Sequence, residues 1–396
     1  MRWTARPHVL LTIAGMSLLV ACGSSTPTAE PPSTAEATST AQEAATAQQP
    51  NQPATIAATP AEATGELATV MSELEGLQGQ ERTDRLVGLA QEGGGSVQWY
   101  TSMTDQLAQQ MADDFEQTTG VQVLLYRAPS AQILQRILQE ATAGVGGADV
   151  VEFSGPEIVA LAKEGALVPY DSPALAELIE GADHGDWTTS RLNVFAPAWN
   201  TELADQPPTA WEELADPRWD ERLGMERTNA EWYMALSNYW TEEAGKSPEE
   251  VQQLWEDIVQ GALMVQGHSP LRQLLISGEF AAVPSLYSYM VEEAQGNGAP
   301  LEWQPPVEPL IVGPNGIGVI VNTPNPAGAM LFTDWLLTDG QQHIADAGIE
   351  SVQTDLQQLG DVETYAIDVE QFSDEQDRWM SELERLTGLG EAAPQT

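Results

Sequence analysis

Positively charged residues and cysteine are both scarce in this chain of 396 residues. Only 15 Lys and Arg stand against 59 Asp and Glu, which gives a formal net charge of −44 at pH 7. A surface this acidic repels phosphate backbones and argues against nucleic-acid binding. The single cysteine, Cys22, excludes a disulfide framework and a zinc site built on several thiolates. The length and the 42% of hydrophobic residues predict a globular protein of two domains.

The only long apolar run lies near the N-terminus. Arg2 and Arg6 precede uncharged residues 9–20, a stretch shorter than the roughly 20 residues of a spanning helix, so residues 1–21 are predicted to be an export signal. The run Leu19-Val20-Ala21-Cys22 resembles the lipobox of bacterial lipoproteins. The resemblance implies lipidation at Cys22 and anchoring to the outer face of the cell membrane, in an extracellular or periplasmic location. A conventional signal peptide with an accidental cysteine is the alternative.

Aromatic residues are missing from the segment that follows, and Ile56 is its one large apolar residue. The rest of the segment is mostly Ala, Thr, Ser, Pro, Gln and Glu. Such a composition buries too little apolar surface to offset the entropy lost on ordering. We therefore expect residues 22–65 to form a lipidated, disordered tether that carries the functional body at its far end.

The body alternates β-rich runs with amphipathic segments. After a predicted helix over residues 73–91, strands are expected at residues 97–100, 121–126 and 148–153, and helices at residues 104–117 and 130–142. This β-α-β-α-β order predicts a parallel sheet with right-handed crossovers. Ligands of such sheets bind beyond the carboxyl ends of the strands, so the loops that follow the first and third strands are candidate ligand sites.

A resemblance to one family extends over about residues 80 to 350. The runs that carry it are LVGLAQEG at 86–93, VQWYTS at 97–102, FEQTTGVQV at 115–123, ADVV at 148–151, LAKEGALVPY at 161–170, WNT at 199–201, PPTAWEEL at 207–214, DPRW at 216–219 and PAGAMLFTDWLLTDGQQ at 326–342. In this order and spacing they resemble the extracellular solute-binding proteins of ABC importers, and most of all the ferric-iron-type branch.

The resemblance implies a two-lobed, α/β periplasmic-binding-protein-like fold of type 2. Each lobe would be a mainly parallel sheet flanked by helices, and β-strand hinge crossovers would join the lobes. Residues 66–195 would form the first part of lobe 1, residues 196–309 lobe 2, and residues 310–396 the return to lobe 1 and the C-terminal helices. The β-rich run at 310–321 supports a return crossing independently. A helix over residues 374–386 is expected to pack on lobe 1.

The same resemblance implies partners and a mechanism. The partners would be an ABC permease with its ATPase subunits and a small solute held between the lobes, and the protein would bind without catalysing a reaction. No zinc-hydrolase motif joins His184, His268 and His343, and no G-x-S-x-G sequence is present. A lipoprotein enzyme that uses the same cleft is the alternative from a different class.

Candidate ligand groups follow strands in both lobes. The candidates are Tyr100, Thr101, Ser102, Ser154, Gly155 and Glu157 in lobe 1, and Thr228, Asn229 and Trp232 in lobe 2. Hydroxyls and backbone N–H groups at these places can bind a solute oxygen. Thr101 or Ser102 can instead cap a helix, and Glu157 can be a dipole partner in a first helical turn.

Tyr287 and Tyr289 lie where ferric-binding members of the family place their tyrosine ligands. Ferric iron suits phenolate oxygens, so these two residues are the candidate metal ligands and ferric iron is the first candidate solute. The family's pair is adjacent, whereas Ser288 intervenes here, and Met103 and Trp199 stand near positions where many relatives have further ligands. An organic solute such as a polyamine, a phosphonate or a carboxylate is the alternative. Arg272 is a candidate partner for an anionic solute, or a member of a surface salt bridge.

Overall fold

The computed structural model of the chain describes residues 65–388, which form an α/β fold with twelve α-helices and twelve strands. The helices are α1 Glu66–Leu74, α2 Gly79–Glu92, α3 Asp105–Thr119, α4 Ser130–Ala143, α5 Gly155–Lys163, α6 Ala230–Glu242, α7 Pro248–Gln260, α8 His268–Ser277, α9 Ser288–Gly296, α10 Pro326–Leu337, α11 Gly340–Asp346 and α12 Val369–Leu386. The strands are β1 Ser96–Thr101, β2 Gln122–Arg127, β3 Val150–Ser154, β4 Leu167–Val168, β5 Thr188–Asn200, β6 Leu223–Glu226, β7 Ala262–Val265, β8 Ala282–Tyr287, β9 Leu301–Glu302, β10 Leu310–Ile320, β11 Glu350–Ser351 and β12 Thr364–Ala366. The predicted signal and tether lie outside the described residues.

The strands form one sheet with two parallel ends and an antiparallel middle. Its main path runs β2-β1-β3-β10-β5-β8-β6-β7, while β11 and β9 pair with β5, and β12 and β4 pair with β10. β1 is parallel to β2 and β3, and β6 is parallel to β7 and β8. The long strands β5 and β10 run antiparallel to each other between these sets. The sheet therefore has two lobes joined by strand crossovers, which confirms the predicted fold class.

The crossover strands keep their register except at one irregularity. The pairing of β10 with β5 begins with Ile311 opposite Phe195. Its register shifts between Asn315 and Gly316. A Cβ on Gly316 would lie 2.4 Å from the Trp187 ring, so the close packing at the bend requires glycine. The return crossing predicted at residues 310–321 is confirmed.

Each lobe has an aromatic core. In lobe 1 the Phe332 ring of α10 packs 4.8 Å from Trp99 and 5.0 Å from Phe115. In lobe 2 the ring of Trp232 lies 5.3 Å from that of Trp255. The predicted helix over residues 104–117 is present as α3, and its regularly spaced apolar side chains are buried because they face this core.

The helix predicted over residues 73–91 is present as α2 from Gly79 onward, but its first residues belong to the separate helix α1 and to the link between the two helices. Gly76 and Gly79, between and at the start of the two helices, adopt left-handed backbone angles, with φ of 76° and 52°. Such angles break a right-handed helix. Over residues 65–388, no helix combines the length and apolarity that crossing a membrane requires.

The C-terminal helix α12 packs on lobe 1, as predicted, and it packs on lobe 2 as well. It lies against α5 on one side and against α6 and α7 on the other. Lys163 Nζ of α5 is 2.6 Å from Asp374, and the Trp379 ring meets the Tyr233 ring of α6 at 5.8 Å. α12 therefore packs against both α5 of lobe 1 and α6 of lobe 2.

Candidate functional site

The carboxyl ends of the parallel strands in both lobes are directed toward one cleft. β1 ends at Thr101 and β3 at Ser154 in lobe 1, while β6 ends at Glu226 and β8 at Tyr287 in lobe 2. The crossover strands β5 and β10 form the floor between them. This placement follows the general rule for open parallel sheets, which puts ligands at these ends.

Tyr287 and Tyr289 lie side by side although Ser288 separates them in sequence. Tyr287 ends β8 with extended backbone angles, φ −68° and ψ 131°, and α9 begins at the next residue. The change from strand to helix brings the two rings parallel, with an interplanar angle of 10° and centroids 5.7 Å apart. Burial raises the pKa of both phenols. The pair therefore forms a flat aromatic wall of neutral side chains.

The wall continues with two further rings. The Tyr287 ring lies 4.8 Å from the Phe195 ring of β5 and 4.4 Å from the His268 ring of α8. Burial lowers the pKa of His268, although the charge of Glu226 acts in the opposite direction. His268 Nδ1 has no hydrogen-bond partner among residues 65–388. The imidazole is therefore an uncharged part of the wall.

A buried polar network forms the floor of the cleft. Glu152 of β3 accepts hydrogen bonds from Thr101 Oγ1 at 2.6 Å, from Arg191 Nε at 3.0 Å and from Ser190 Oγ at 3.2 Å. Its side chain is fully buried, and that of Arg191 is 6% exposed. A buried ion pair is tolerated when further hydrogen bonds satisfy its polar atoms, as they do here. The network fixes the position of the Arg191 charge.

The floor network extends from Arg191 to the second crossover strand. Arg191 donates through a terminal nitrogen to Asn193 Oδ1 at 2.9 Å, and Asn193 Nδ2 donates to Asn315 Oδ1 at 2.8 Å. Asn315 is the residue of β10 at the register shift. The two crossover strands are thus held together at the cleft by side chains as well as by the backbone.

Two carboxylates face the cleft from opposite lobes. Glu157 lies in the first turn of α5, where Ser154 Oγ donates to it, and burial raises its pKa. Glu231 lies in the first turn of α6, and burial, followed by the negative charge of Glu157, raises the pKa of Glu231 to about 8. Each group is only partly exposed to water. The cleft therefore holds two acids that lack a cationic partner among the salt bridges of residues 65–388.

A third carboxylate, Glu226, organises the loop after β6. It accepts hydrogen bonds from the Thr228 backbone N–H at 2.7 Å and from the Gly267 N–H at 2.9 Å, as well as from the Thr228 hydroxyl. Asn229 Oδ1 accepts from the Trp232 N–H at 3.4 Å and so caps α6. Thr228 and Asn229, predicted as ligand groups, hold this loop and orient Glu231.

Several predicted ligand groups face the protein interior. Trp232 is fully buried in the lobe 2 core, and Tyr100 directs its hydroxyl to Glu140 of α4 at 3.0 Å. The prediction that these two side chains line the cleft is therefore wrong. The Thr101 hydroxyl donates its hydrogen bond to Glu152, so Thr101 positions the floor network.

Two small predicted residues act through the backbone. The Ser102 N–H donates to the Glu152 carbonyl at 3.0 Å. Gly155 packs so closely that an added Cβ would lie 2.6 Å from Val369 and 2.8 Å from the Pro314 carbonyl oxygen. Both residues therefore join the cleft loops to neighbouring elements.

Sequence reasoning missed Glu231, Arg191 and His268. Glu231 lies two residues after the last predicted polar group of its loop, so extending the search into the first helical turn would have found it. Arg191 lies within a strand, where no loop signal marks it, and only the scarcity of cations in the chain draws attention to it. His268 begins α8 directly after β7 and its short loop, and no metal or hydrolase motif marks it in the sequence.

The chain belongs to the bacterial extracellular solute-binding proteins, whose family model matches residues 110–367. It is thus a substrate-binding protein of the kind that serves ABC importers, and such proteins work with a permease and its ATPase and bind small ligands without catalysing a reaction. The family is exported, to a periplasmic or extracellular location. No curated protein sequence matches the chain significantly.

Solved structures share the fold at low sequence identity. The periplasmic binding protein AfuA from Actinobacillus pleuropneumoniae, with fructose-6-phosphate bound, is 19% identical, with a TM-score of 0.63, and the match covers 74% of this chain and 99% of AfuA. Iron-bound HitA from Pseudomonas aeruginosa is 17% identical, with a TM-score of 0.61 and coverage of 73% and 99%. The Atu4243-GABA receptor is 15% identical, with a TM-score of 0.63 and coverage of 76% and 99%. At such identities the likeness shows the fold alone.

Proposed function

We propose that this substrate-binding protein captures a small solute that carries a positive charge and delivers it to an ABC permease. The observation behind this proposal is the pair Glu157 and Glu231, which approach the cleft from opposite lobes without a cationic partner among the described residues. A cation between them would remove their mutual repulsion and favour the ionised form of both. The aromatic wall beside them suits the apolar part of an organic cation, and ring faces attract the charge itself.

The ligands of the structural neighbours do not identify the solute of this protein. AfuA carries a sugar phosphate, HitA carries iron and Atu4243 is a receptor for GABA, and these ligands differ in charge and size. The fold therefore accommodates several chemistries, and the side chains of each cleft decide among them. A purely anionic solute such as a phosphonate or a carboxylate is disfavoured here, because it would meet Glu157 and Glu231. An organic amine, including a polyamine, fits the pair.

Calorimetric titration of the full-length protein with a panel of organic amines tests the proposal. We expect saturable binding of at least one amine to the wild type and binding about ten- to a hundredfold weaker in Glu231→Gln, because a charge-assisted hydrogen bond is lost. Glu279→Gln, which removes an exposed carboxylate from lobe 2, is the matched control and should bind as the wild type does. Equal affinity in all three proteins would contradict the role given to the carboxylate pair.

Ferric iron is the second candidate solute, and the arrangement of Tyr287 and Tyr289 favours it. Their rings lie together despite the intervening Ser288, and the lobe 2 carboxylates Glu226 and Glu231 act on Tyr287, so hard oxygen ligands are available. Coordination would require the phenols to lose their protons, against the effect of burial on their pKa. No group of three His, Cys, Asp or Glu within residues 65–388 could hold a metal ion, so the tyrosines would have to be ligands.

A visible titration with ferric citrate separates this candidate from the organic amine. Iron capture through the pair predicts a saturable one-to-one charge-transfer band that disappears when Tyr287 and Tyr289 are both changed to Phe. If the folded wild type gives no band, the tyrosinate site is ruled out. The Phe substitutions should leave amine binding nearly intact, since the aromatic wall is kept.

We further propose that Cys22 is lipidated and that residues 22–65 tether the body to the outer face of the cell membrane. The support is the sequence around Cys22 and the composition of the tether. Fractionation of cells that express the wild type and Cys22→Ser provides the test. The wild type should sediment with membranes and the variant should be released or retain its signal; identical fractions and masses would contradict lipidation.

A further inference from the structure

Helix α12 crosses from one lobe to the other beside the helices that carry the cleft carboxylates. It begins at Val369, which packs so closely on Gly155 that a Cβ there would lie 2.6 Å from Val369 Cγ1. Glu157 lies two residues further along α5, and Glu231 lies in the first turn of α6. Because α12 packs on both α5 and α6, a rigid α12 must lose contact with one of them when the lobes separate.

The contact between α12 and lobe 2 is largely buried. The Trp379 ring meets the ring of Tyr233 with centroids 5.8 Å apart, and both side chains are buried in one apolar cluster. Asn238 Nδ2 of α6 donates to Gln371 Oε1 of α12 at 3.0 Å. Separating these two helices would expose aromatic surface to water, which is costly.

The segment that leads into α12 is also attached to lobe 2. Leu359 and Val362 pack on the apolar cluster formed by α8 and α9. Tyr365 of β12 then packs on Tyr239 of α6, with ring centroids 5.7 Å apart, and its hydroxyl donates to Glu242 at 3.2 Å. α12 is therefore joined to lobe 2 by its own buried face and by the chain before it.

The contact between α12 and lobe 1 contains an exposed polar cluster. Lys163 Nζ of α5 lies 2.6 Å from Asp374 and 4.0 Å from Glu370, and it donates to Ser373 Oγ at 2.9 Å. The side chains of Lys163 and Asp374 are 40% and 74% exposed, and an ion pair so open to water contributes little free energy. Val369 adds an apolar contact, but it is much smaller than an indole ring. The interface with α5 therefore separates at the lower cost.

We infer that α12 is a strap that moves with lobe 2 and releases α5 when the lobes separate. Lobes of this kind move about their connecting strands, which here are β5 and β10. When the strap meets α5 again, it brings together the first turns of α5 and α6, which hold Glu157 and Glu231. The inference goes beyond the proposed function and does not depend on which solute the cleft binds.

Carbodiimide coupling can lock the strap, because it condenses an amine with a carboxylate in contact to an amide without a spacer and takes up the released water as a urea. Lys163 and Lys246 are the only lysines of the chain. Lys163 can be joined to Asp374 of α12, whereas Lys246 lies 3.0 Å from Glu212 within lobe 2. Lys246→Gln therefore forms only the link to the strap, and Lys163→Gln, the matched control, forms only the link within lobe 2.

Spin labels measure the separation of the lobes in the full-length protein. Val145→Cys in lobe 1 and Leu263→Cys in lobe 2 replace exposed side chains, and Cys22→Ser makes these the only two cysteines. We expect coupled Lys246→Gln to lose the population with the longer distance and coupled Lys163→Gln to keep it. Equal distance distributions in the two coupled proteins would overturn the inference, and so would a single distance in the uncoupled protein, because the strap would then release nothing.

A second link shows which lobe the strap follows. Asn238→Lys with Gln371→Glu, in a protein that also carries Lys163→Gln and Lys246→Gln, transfers the amide to the interface between α6 and α12. This link should leave the longer distance in place, because α12 and α6 move together. Loss of the longer distance through this link would mean that α12 must also leave lobe 2, which contradicts the inference. Peptide mapping by mass spectrometry confirms each link, and failure of Lys163 to couple to α12 would contradict the contact itself.

Discussion

Glu157 at the start of α5 and Glu231 at the start of α6 carry carboxylates from different lobes, and the charge of Glu157 adds to burial in raising the pKa of Glu231. Each lobe contributes only one of the two carboxylates, so a solute that contacts both carboxylates must bind both lobes. Under the proposed function, a bound positive charge would contact a carboxylate of each lobe. Closing of two lobes about a ligand is a common hinge motion.

The stability of the protein should depend on pH through Glu231. Burial, and then the charge of Glu157, raise its pKa to about 8 from an ordinary 4.5. Tyr287 is the other titratable group that faces it, and its raised pKa keeps it neutral throughout this range. The folded state then binds more protons than the unfolded chain between these pH values, so the free energy of unfolding falls as pH rises from about 5 to 8.

Glu231→Gln removes this contribution. Thermal unfolding at several pH values should show that the stability of the variant, relative to that of the wild type, increases as pH rises through that range. Glu279→Gln should keep a constant difference from the wild type. A constant difference for Glu231→Gln as well would mean that its carboxyl titrates normally.

The buried ion pair between Glu152 and Arg191 should be a major determinant of stability. Glu152→Gln leaves the Arg191 guanidinium buried without its counter-charge, which we expect to cost about 3–5 kcal/mol of unfolding free energy. The control is Glu382→Gln, which breaks an exposed pair with Arg378 on α12 and should cost about 0–1 kcal/mol. Urea denaturation of the two variants measures both values, and similar small losses would show that the floor network is dispensable.

Helix α12 should stabilise both lobes through Trp379. Its ring is 5% exposed and packs on Tyr233 of α6. Trp379→Ala should cost about 3–5 kcal/mol, as other deletions of large buried aromatics do. The neighbouring Met380 is 39% exposed, so Met380→Ala should change the unfolding free energy little. Equal losses in calorimetric unfolding would contradict the bracing role of the buried face.

The packing around Gly155 should not tolerate even one added methyl group. An alanine Cβ there would lie 2.8 Å from the backbone oxygen of Pro314, which cannot move as a side chain can, so Gly155→Ala should destabilise the protein and displace Glu157. Gly88, in the interior of α2, has no atom within 4 Å of such a Cβ, and Gly88→Ala should stabilise by up to about 1 kcal/mol. Thermal melts of the two variants should therefore shift in opposite directions. A Gly155→Ala protein as stable as the wild type would contradict the tight packing.

The sequence allowed the fold to be predicted more fully than the site. The strands and helices of residues 97–153 follow from apolar periodicity, which reports local burial. The tyrosine pair was also found, but its geometry was not, because the turn from β8 into α9 decides how the rings meet. Arg191 and Glu152 could not be paired from sequence, since their contact depends on the neighbouring positions of β3, β10 and β5 in the sheet.

Trp232 shows the opposite error. It follows a strand and a polar loop, as a ligand residue does, yet it faces the aromatic core of lobe 2. The side of the helix that faces the cleft is set by packing, and at this helix it carries Glu231. A one-residue difference in position thus separates the candidate ligand group from the core.

A crystal structure of the protein with its bound solute is the most direct test of this account. The account predicts that the solute lies between the ends of β3 and β6, with its positive group within hydrogen-bond distance of both Glu157 and Glu231. A solute that binds elsewhere, or that directs an anionic or apolar group toward these two carboxylates, would contradict it.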